Sequence, residues 1–215
     1  MQNTHRRVLV WFRKEGVAKG LSHRELMDAM EAAFRASRLP VRMSEGATRK
    51  VKLSFPTALP QGVASRMEVV EVAVAPGPTM REVCERLAAE LPEGLVAFDA
   101  DWLYSGERVR VTAIAWAVRG VSRAGLEELL GSDSIPAERR GREVDLAKLL
   151  AGWSMDDGRL WISIRWTDAG TARPEDFLRA AGLDPAATTI EKTGMTFRTT
   201  FGETIQRDDA PDPGK

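Results

Sequence analysis

Residues 8–40 read VLVWFRKEGVAKGLSHRELMDAMEAAFRASRLP, and the prediction of the fold starts from these residues. The run VLVWF at 8–12 is apolar, β-rich and bounded by charge, which predicts a buried strand, and residues 14–20 predict a loop. Ser22 and Glu25 have the spacing of a capping box, and apolar residues then recur at helical spacing until Pro40 ends the helix. The sequence therefore predicts a strand followed by a helix.

The residues that follow extend this unit to residue 103. The segments VKLSF at 51–55 and MEVVEVAV at 67–74 predict two strands joined by the loop PTALPQG. Thr79 and Glu82 form a second capping box, which predicts a helix that stops at Pro92, and residues 95–103 predict a fourth strand. The order β-α-β-β-α-β is that of a ferredoxin-like sandwich, with helices on one face of an antiparallel sheet.

Similar elements follow from residue 108 onward. Strands are predicted at 108–118, 160–166 and 189–200, and helices at 122–130 and 174–181, with Gly131 and Gly182 at the helix ends. Residues 144–152 fit either a helical turn or a strand. We predict an α+β fold of two tandem ferredoxin-like (βαββαβ) halves at 1–104 and 105–200, followed by a disordered tail at 201–215.

The composition is that of a globular protein. Of the 215 residues, 43% are hydrophobic and 29% are charged, which is enough apolar material for a core. The sequence contains no run of the ~20 apolar residues that a membrane span needs, and the basic residues 1–16 lack a following apolar segment. We therefore expect a cytoplasmic protein with no membrane partner.

The sequence contains one cysteine, Cys84. One thiol excludes an intramolecular disulfide and an iron-sulfur cluster held by this chain alone. Asp99 and Asp101 alternate on a strand, but no third metal ligand accompanies them in the sequence. We expect neither a metal site nor a cofactor.

Charge is unevenly distributed along the chain, although the net charge is zero. Residues 1–55 contain twelve basic and five acidic side chains, a net of +7, and the other 160 residues carry −7. A basic end favours a polyanionic partner such as RNA, but it also fits an ordinary solvated surface. Charge alone leaves both interpretations open.

An ordered set of motifs in the first 75 residues resembles a known family. It comprises Arg7, Phe12, Lys14, Gly16, LSH at 21–23, ELM at 25–27, Ala33, Arg35, Ala36, LP at 39–40, SEG at 44–46, Leu53, Pro56, LP at 59–60, GV at 62–63, Ser65 and Glu68. Looser similarity follows at 141–150 and 172–178. The set resembles the radical SAM-linked protein family, the domain of unknown function 2344. One departure is Ala47-Thr48-Arg49 after Gly46, where the family usually has an aromatic residue, Asn and Pro.

The resemblance implies a radical SAM protein as partner, since members of the family are found beside or fused to such proteins. It also implies RNA modification or metabolism as the setting, and no established activity comes with it. Because this chain has one cysteine, the partner would hold the cluster.

The start of the first predicted helix is the first candidate site. His23 follows the Ser22 cap, where free backbone N–H groups favour an anion, and Arg7 and Lys14 could join them around a phosphate. The bland alternative is a capping segment in which His23 packs over the strand. Catalysis is the less favoured interpretation, because no second histidine or carboxylate pair stands in the motif.

The segment between the first helix and the second strand is the other candidate. It carries Arg42, Arg49, Lys50 and Lys52 around Gly46, and we expect it to contact nucleic acid rather than to be only a solvated loop. Among the six tryptophans, most are expected in the core, although some could stack on unpaired bases.

These observations favour a non-catalytic RNA-binding or substrate-presenting accessory protein of a radical SAM enzyme. Two alternatives stay open at this point. One is a metal-independent RNA-processing enzyme that uses His23, and the other is a protein-protein adaptor without nucleic acid contact.

Overall fold

The computed structural model describes residues 5–123, 125–139 and 141–208. Within them the chain has a mixed α and β fold with mostly antiparallel, open sheets and few helices. Two compact units divide it: residues up to Arg110 together with Thr199–Glu203, and Val111–Arg198 together with the residues after Glu203. No helix in the described part of the chain is long and apolar enough to cross a membrane.

The first unit has the predicted element order. Its elements are β1 (Arg6–Lys14), α1 (His23–Ala36), β2 (Leu53–Ser54), β3 (Ala64–Val74), α2 (Met80–Ala88) and β4 (Leu95–Trp102). The strands lie side by side in the order β2-β3-β1-β4, and each neighbouring pair is antiparallel. Arg7 lies opposite Ala73 in β3, and Val8 lies opposite Trp102 in β4.

One face of this sheet and both helices share a core. Alternate β1 residues, Val8, Val10 and Phe12, are buried together with the apolar stripes of the helices. These stripes are Leu26, Met30, Ala33 and Phe34 in α1 and Val83 and Leu87 in α2. Each fully buried large apolar side chain stabilises the fold by about 1.5–3 kcal/mol, so both helices are held on the same face of the sheet.

Both predicted capping boxes are present. Ser22 accepts a hydrogen bond from the Glu25 N–H, and Glu25 accepts one from the Ser22 N–H at 2.8 Å. Thr79 and Glu82 make the same reciprocal pair at the start of α2. These bonds satisfy backbone donors that the first turn leaves free, and they account for where the two helices begin.

The second unit contains the remaining elements. They are β5 (Val109–Arg119), α3 (Leu126–Leu130), β6 (Pro136–Arg139), β7 (Arg142–Asp145), β8 (Leu150–Asp156), β9 (Arg159–Thr167), β10 (Gly170–Thr171), α4 (Pro174–Ala180), β11 (Thr189–Thr199) and β12 (Thr204–Asp208). The order is β8-β9-β5-β11, with β10 also on β9 and β12 on β11, while β6 and β7 form a separate hairpin. The first two residues of β5 belong to the first unit.

The structure differs from the sequence prediction in several segments. The ambiguous residues 144–152 contain the end of β7, a 3-10 turn at Leu146–Leu149 capped by Asp145, and the start of β8. The helix expected at 122–130 begins only at Leu126, because Gly125 before it has a φ of 79° that is incompatible with a helix.

The structure also differs from the prediction in the strand expected at 51–55 and in the tail expected at 201–215. Only Leu53–Ser54 pair with β3, since Val51 bridges Met43 instead. Part of the predicted disordered tail at 201–215 forms β12, which pairs with β11 through residues 204–208. The rest of that predicted tail, 209–215, lies outside the described residues.

Candidate functional site

The predicted anion-binding residues lie at opposite ends of β1. Arg7 is near its start and Lys14 is its last residue, so about 23 Å of extended strand separates them, at ~3.3 Å per residue. Lys14 lies at the end that precedes α1, near Ser22 and His23. The structure therefore does not bring Arg7 together with Lys14, Ser22 and His23.

Lys14 is an internal side chain. It is 1% exposed, and its Nζ donates a hydrogen bond to the Leu21 carbonyl at 2.8 Å. Burial lowers the pKa of Lys14, while the charge of the nearby buried Glu68 acts in the opposite direction. Lys14 thus ties β1 to the loop before α1 and has little surface to offer a phosphate.

His23 packs against an aromatic side chain. Its ring meets Phe55 edge to face with centroids 5.5 Å apart, and Phe55 meets Phe12 in the same way at 6.5 Å. The His23 Nδ1 atom is buried and has no hydrogen-bond partner among the described residues. This arrangement agrees with the packing interpretation of His23, and Ser22 serves as the helix cap.

Arg7 is held by two neighbours within the first unit. Its guanidinium makes two bonds to the Glu71 carboxylate, at 2.5 and 2.6 Å, and a third to the Glu107 carbonyl. The hydrogen bond that Arg7 donates to Glu71 raises the pKa of Arg7, and burial partly opposes this effect. Arg7 is therefore engaged with protein groups and orients the turn that contains Glu107.

A cleft opens at the end of the sheet where Arg7 lies. Its volume is 1140 Å³, and it is lined by His5, Arg6, Arg7, Arg42, Lys52, Leu53, Ser54, Glu71, Val72, Ala73, Pro76, Trp102, Leu103, Tyr104, Ser105 and Gly106. All of these residues belong to the first unit. We call this feature the basic cleft.

Arg42 and Lys52 stand together on one wall of the basic cleft. The Lys52 N–H bonds the Arg42 carbonyl at 3.1 Å, and the Arg42 N–H bonds the Ala73 carbonyl at 2.8 Å, which attaches both segments to the edge of β3. Neither side chain has a salt-bridge partner among the described residues. Glu71, the acidic lining residue, is engaged with Arg7. The cleft thus presents positive charge from Arg42 and Lys52 that no salt bridge among the described residues compensates.

Arg49 and Lys50 lie outside the basic cleft, in the exposed loop between Ser44 and Val51. Their backbone groups hold this loop, since Lys50 exchanges hydrogen bonds with Ser44 and the Arg49 carbonyl accepts one from Arg35. Of the four cations predicted in this segment, the structure places Arg42 and Lys52 in one cleft and leaves the other two in solvent.

Two residues of the cleft, Arg6 and Tyr104, were not singled out from the sequence, whereas Trp102 is one of the six tryptophans considered there for stacking on bases. The Arg6 guanidinium lies 5.9 Å from the ring centre of Trp102, and Tyr104 is 71% exposed. Tyr104 precedes Ser105-Gly106, a pair that is typical of turns, and an aromatic residue beside such a pair is a signal that could have indicated an exposed ring. Trp102 is partly buried against the core, as expected for most tryptophans.

The arrangement suits binding more than acid-base chemistry. Guanidinium and ammonium groups donate to phosphate oxygens, and exposed aromatic rings stack on bases. Asp101 accepts a hydrogen bond from the Trp11 indole at 2.7 Å, so it has a structural partner. The described residues contain no group of three or more His, Cys, Asp or Glu side chains that could hold a metal ion.

Comparison with known proteins gives a family without an activity. The family model described as "Uncharacterized protein conserved in bacteria (DUF2344)" matches residues 7–173, which is well over half of the chain and includes all of the first unit except its ends. No curated protein matches the chain.

Proposed function

This chain belongs to the DUF2344 family of uncharacterized bacterial proteins, and we propose that it is a non-catalytic, cytoplasmic RNA-binding or substrate-presenting accessory protein of a radical SAM enzyme. The basic cleft is the RNA site in this proposal. The enzyme supplies the cluster and the chemistry, because one cysteine cannot hold a cluster.

One observation carries the proposal. Arg6, Arg42 and Lys52 line the same cleft as Trp102 and Tyr104, so donors for phosphate and rings for bases share one surface. Phosphate contacts supply much of the affinity for nucleic acid, and aromatic stacking supplies contacts to bases without a requirement for one sequence. The link to a radical SAM enzyme rests on the motif resemblance in residues 7–75.

We also propose that both units are ferredoxin-like. The strand order β2-β3-β1-β4 with two helices supports this interpretation for the first unit. The order β8-β9-β5-β11, with α3 and α4 in corresponding positions of the chain, supports it for the second. In this interpretation, the β6–β7 hairpin is an insertion in the second copy.

A matched pair of variants tests the RNA site. Arg42→Ala/Lys52→Ala removes two charges from the basic cleft, whereas Arg49→Ala/Lys50→Ala removes two charges from the same segment outside it. Each phosphate contact on a single strand contributes about 0.7 to the slope of log K against log salt, so the cleft variant should reduce the slope by about 1.4 and the control should leave it nearly unchanged. Fluorescence anisotropy of labelled RNA across a salt series measures both. Equal slopes in all three proteins would reject the cleft as the RNA site.

The alternative enzyme is tested in the same assay. His23→Ala should bind RNA like the unaltered protein, because His23 lies near the far end of β1 from the basic cleft. RNA cleavage by the unaltered protein that disappears in His23→Ala would instead support the enzyme. Co-purification of the native protein, with bound RNA and iron-sulfur proteins both identified, tests the accessory role.

A further inference from the structure

We propose that the basic cleft binds an unpaired segment of RNA, with a base stacked on Tyr104 and a second stacking position at Phe201. This inference rests on the proposed RNA-binding function and specifies which form of RNA the cleft takes. It follows from how two exposed aromatic residues are held, from the size of the cleft and from the position of its cations.

Tyr104 is exposed but stands on a well-anchored turn. The Tyr104 N–H bonds the Glu107 carboxylate at 2.7 Å, and the Glu107 N–H bonds the Tyr104 carbonyl at 3.0 Å. Glu107 is 2% exposed, and its carbonyl accepts a hydrogen bond from Arg7. Gly106 in the turn has a φ of 79°, which suits glycine. The backbone beneath the ring is therefore ordered before any ligand binds, which reduces the entropy lost on binding.

Phe201 lies on a second turn next to the first. It is 60% exposed, and its turn is closed by a hydrogen bond between Thr199 N–H and the Glu203 carbonyl at 2.8 Å. The Thr200 N–H bonds the Arg108 carbonyl, and the Arg108 N–H bonds the Thr200 hydroxyl. Since Arg108 directly follows Glu107, these bonds join the two turns within the first unit. Two large exposed rings thus stand on adjoining turns, and the turn that carries Tyr104 lines the cleft.

The basic cleft has room for a strand of nucleic acid. Pockets for small ligands usually have volumes of about 300–1,000 Å³ and enclose most of the ligand. The basic cleft has 1140 Å³ at an open end of the sheet, with Arg42 and Lys52 on one wall and Tyr104 on the turn after β4. A backbone that follows the cations could place its bases against the rings.

Stacking on these rings requires unpaired bases. In a duplex the base faces are covered by neighbouring pairs, whereas single-stranded RNA can turn its bases toward aromatic side chains. A surface that used only Arg42 and Lys52 would accept any polyanion. The exposed rings add a contact that a duplex or inorganic polyphosphate cannot make.

The test uses the fact that Tyr104 is the sole tyrosine of the sequence. Full-length protein labelled with 3-fluorotyrosine has one fluorine position, so its fluorine NMR spectrum reports on Tyr104 alone. We expect short oligouridine to shift this resonance, and the blunt duplex of the same length and inorganic polyphosphate to shift it little. A resonance that moves equally with all three, or does not move while oligouridine binds, would overturn the inference.

Variants complete the test. Tyr104→Ala should weaken oligouridine binding by about tenfold to a hundredfold with an unchanged salt slope, since it removes a stacking contact and no charge. Tyr104→Trp should retain binding, and Phe201→Ala should weaken it as well. Because both rings are exposed, these variants should unfold at the urea concentration of the unaltered protein.

The outcomes separate the inference from the proposed function. If Arg42→Ala/Lys52→Ala lowers the salt slope and Tyr104→Ala binds oligouridine normally, the cleft binds RNA through its phosphates and the stacking inference fails. Binding of the duplex as tightly as the single strand also overturns it. If no RNA binds at all, the proposed function and the inference fail together.

Discussion

At the scale of single residues, Arg7 shows how a cation in a basic segment can serve the fold. The sequence suggested a phosphate contact, but the guanidinium bonds both oxygens of Glu71 and the carbonyl of Glu107. Bidentate geometry requires the planar fork of arginine, which the single ammonium of lysine cannot reproduce. Arg7 therefore positions the turn beneath Tyr104 instead of facing a ligand with a free charge.

We expect Arg7→Lys to lower the free energy of unfolding by about 1–2 kcal/mol, because it keeps the charge but loses the bidentate bonds of a partly exposed pair. Urea denaturation measures this change. Glu71→Gln and the double variant complete a thermodynamic cycle, and additive effects of the two single variants would show that the pair contributes no coupling energy. We also expect weaker oligouridine binding in Arg7→Lys, since the Tyr104 turn loses an anchor.

At the scale of elements, the helices α1 and α2 both begin with a capping box. Glu25 and Glu82 each accept a hydrogen bond from the N–H of the capping residue. Hydrogen bonding to Ser22 lowers the pKa of Glu25, and hydrogen bonding to Thr79 lowers the pKa of Glu82. The ionised forms therefore favour the folded state.

The pH dependence follows from these directions. A carboxylate whose pKa is lower in the folded than in the unfolded state stabilises the protein above its ordinary pKa of about 4.3, and this contribution is lost as pH falls through the folded-state value. Glu25→Gln/Glu82→Gln retains a hydrogen-bond acceptor but does not titrate. We expect the urea midpoint of this variant to fall less between pH 5 and acid than that of the unaltered protein. If the urea midpoint of the variant falls as much toward acid pH as that of the unaltered protein, Glu25 and Glu82 are not the source of this pH dependence.

The turn before β4 provides a second prediction for an element. Gly94 has a φ of 85°, and a Cβ added there would collide with the Glu15 carbonyl and lie 2.8 Å from the Cβ of Ala18. Gly62 has nearly the same φ, 84°, but a Cβ there would meet no atom within 4 Å. Alanine substitutions at Gly62 and Gly94 therefore separate the cost of backbone strain, which both share, from the cost of steric crowding, which only Gly94 has.

We expect Gly62→Ala to destabilise by about 1–2 kcal/mol, the usual strain of a left-handed residue. Gly94→Ala should lose this amount and about 1–3 kcal/mol more, because neighbouring backbone must move. Urea or thermal unfolding of both variants measures the difference. If both variants lose the same free energy of unfolding, the backbone around residues 15–18 can move away from the new Cβ at no cost.

At the scale of the whole molecule, the zero net charge is the sum of a basic segment at residues 1–55 and an acidic remainder of the chain. Residues 1–55, with their net charge of +7, lie entirely within the first unit, whose cleft brings together Arg6, Arg42 and Lys52 from three segments of the chain. Other cations of the same stretch are used internally, as the buried Lys14 shows. The charge count therefore indicates which unit carries the basic surface, and the fold selects the side chains that form it.

The sequence determined the features that depend on neighbours along the chain. Patterns a few residues long predict several features of the first unit and of the helices. These features are the strand β1, both capping boxes, the order of elements in the first unit and the ends of several helices. Capping and amphipathic spacing act within one or two turns, so they can be read without knowing the rest of the fold. The helix α3 is shorter than the sequence pattern predicts, because Gly125 interrupts the predicted first turn.

Which cations are available to a ligand depends on tertiary contacts. Arg7 bonds Glu71 across 64 residues of sequence, and Lys14 is buried beside Glu68, so both cations have partners within the protein. Arg42, Lys52 and Tyr104 come together because β2, β3, β1 and β4 pair in a fixed register. A charge in a sequence has no known partner until distant strands pair, since electrostatic neutralisation and burial depend on distance in space and not on separation along the chain.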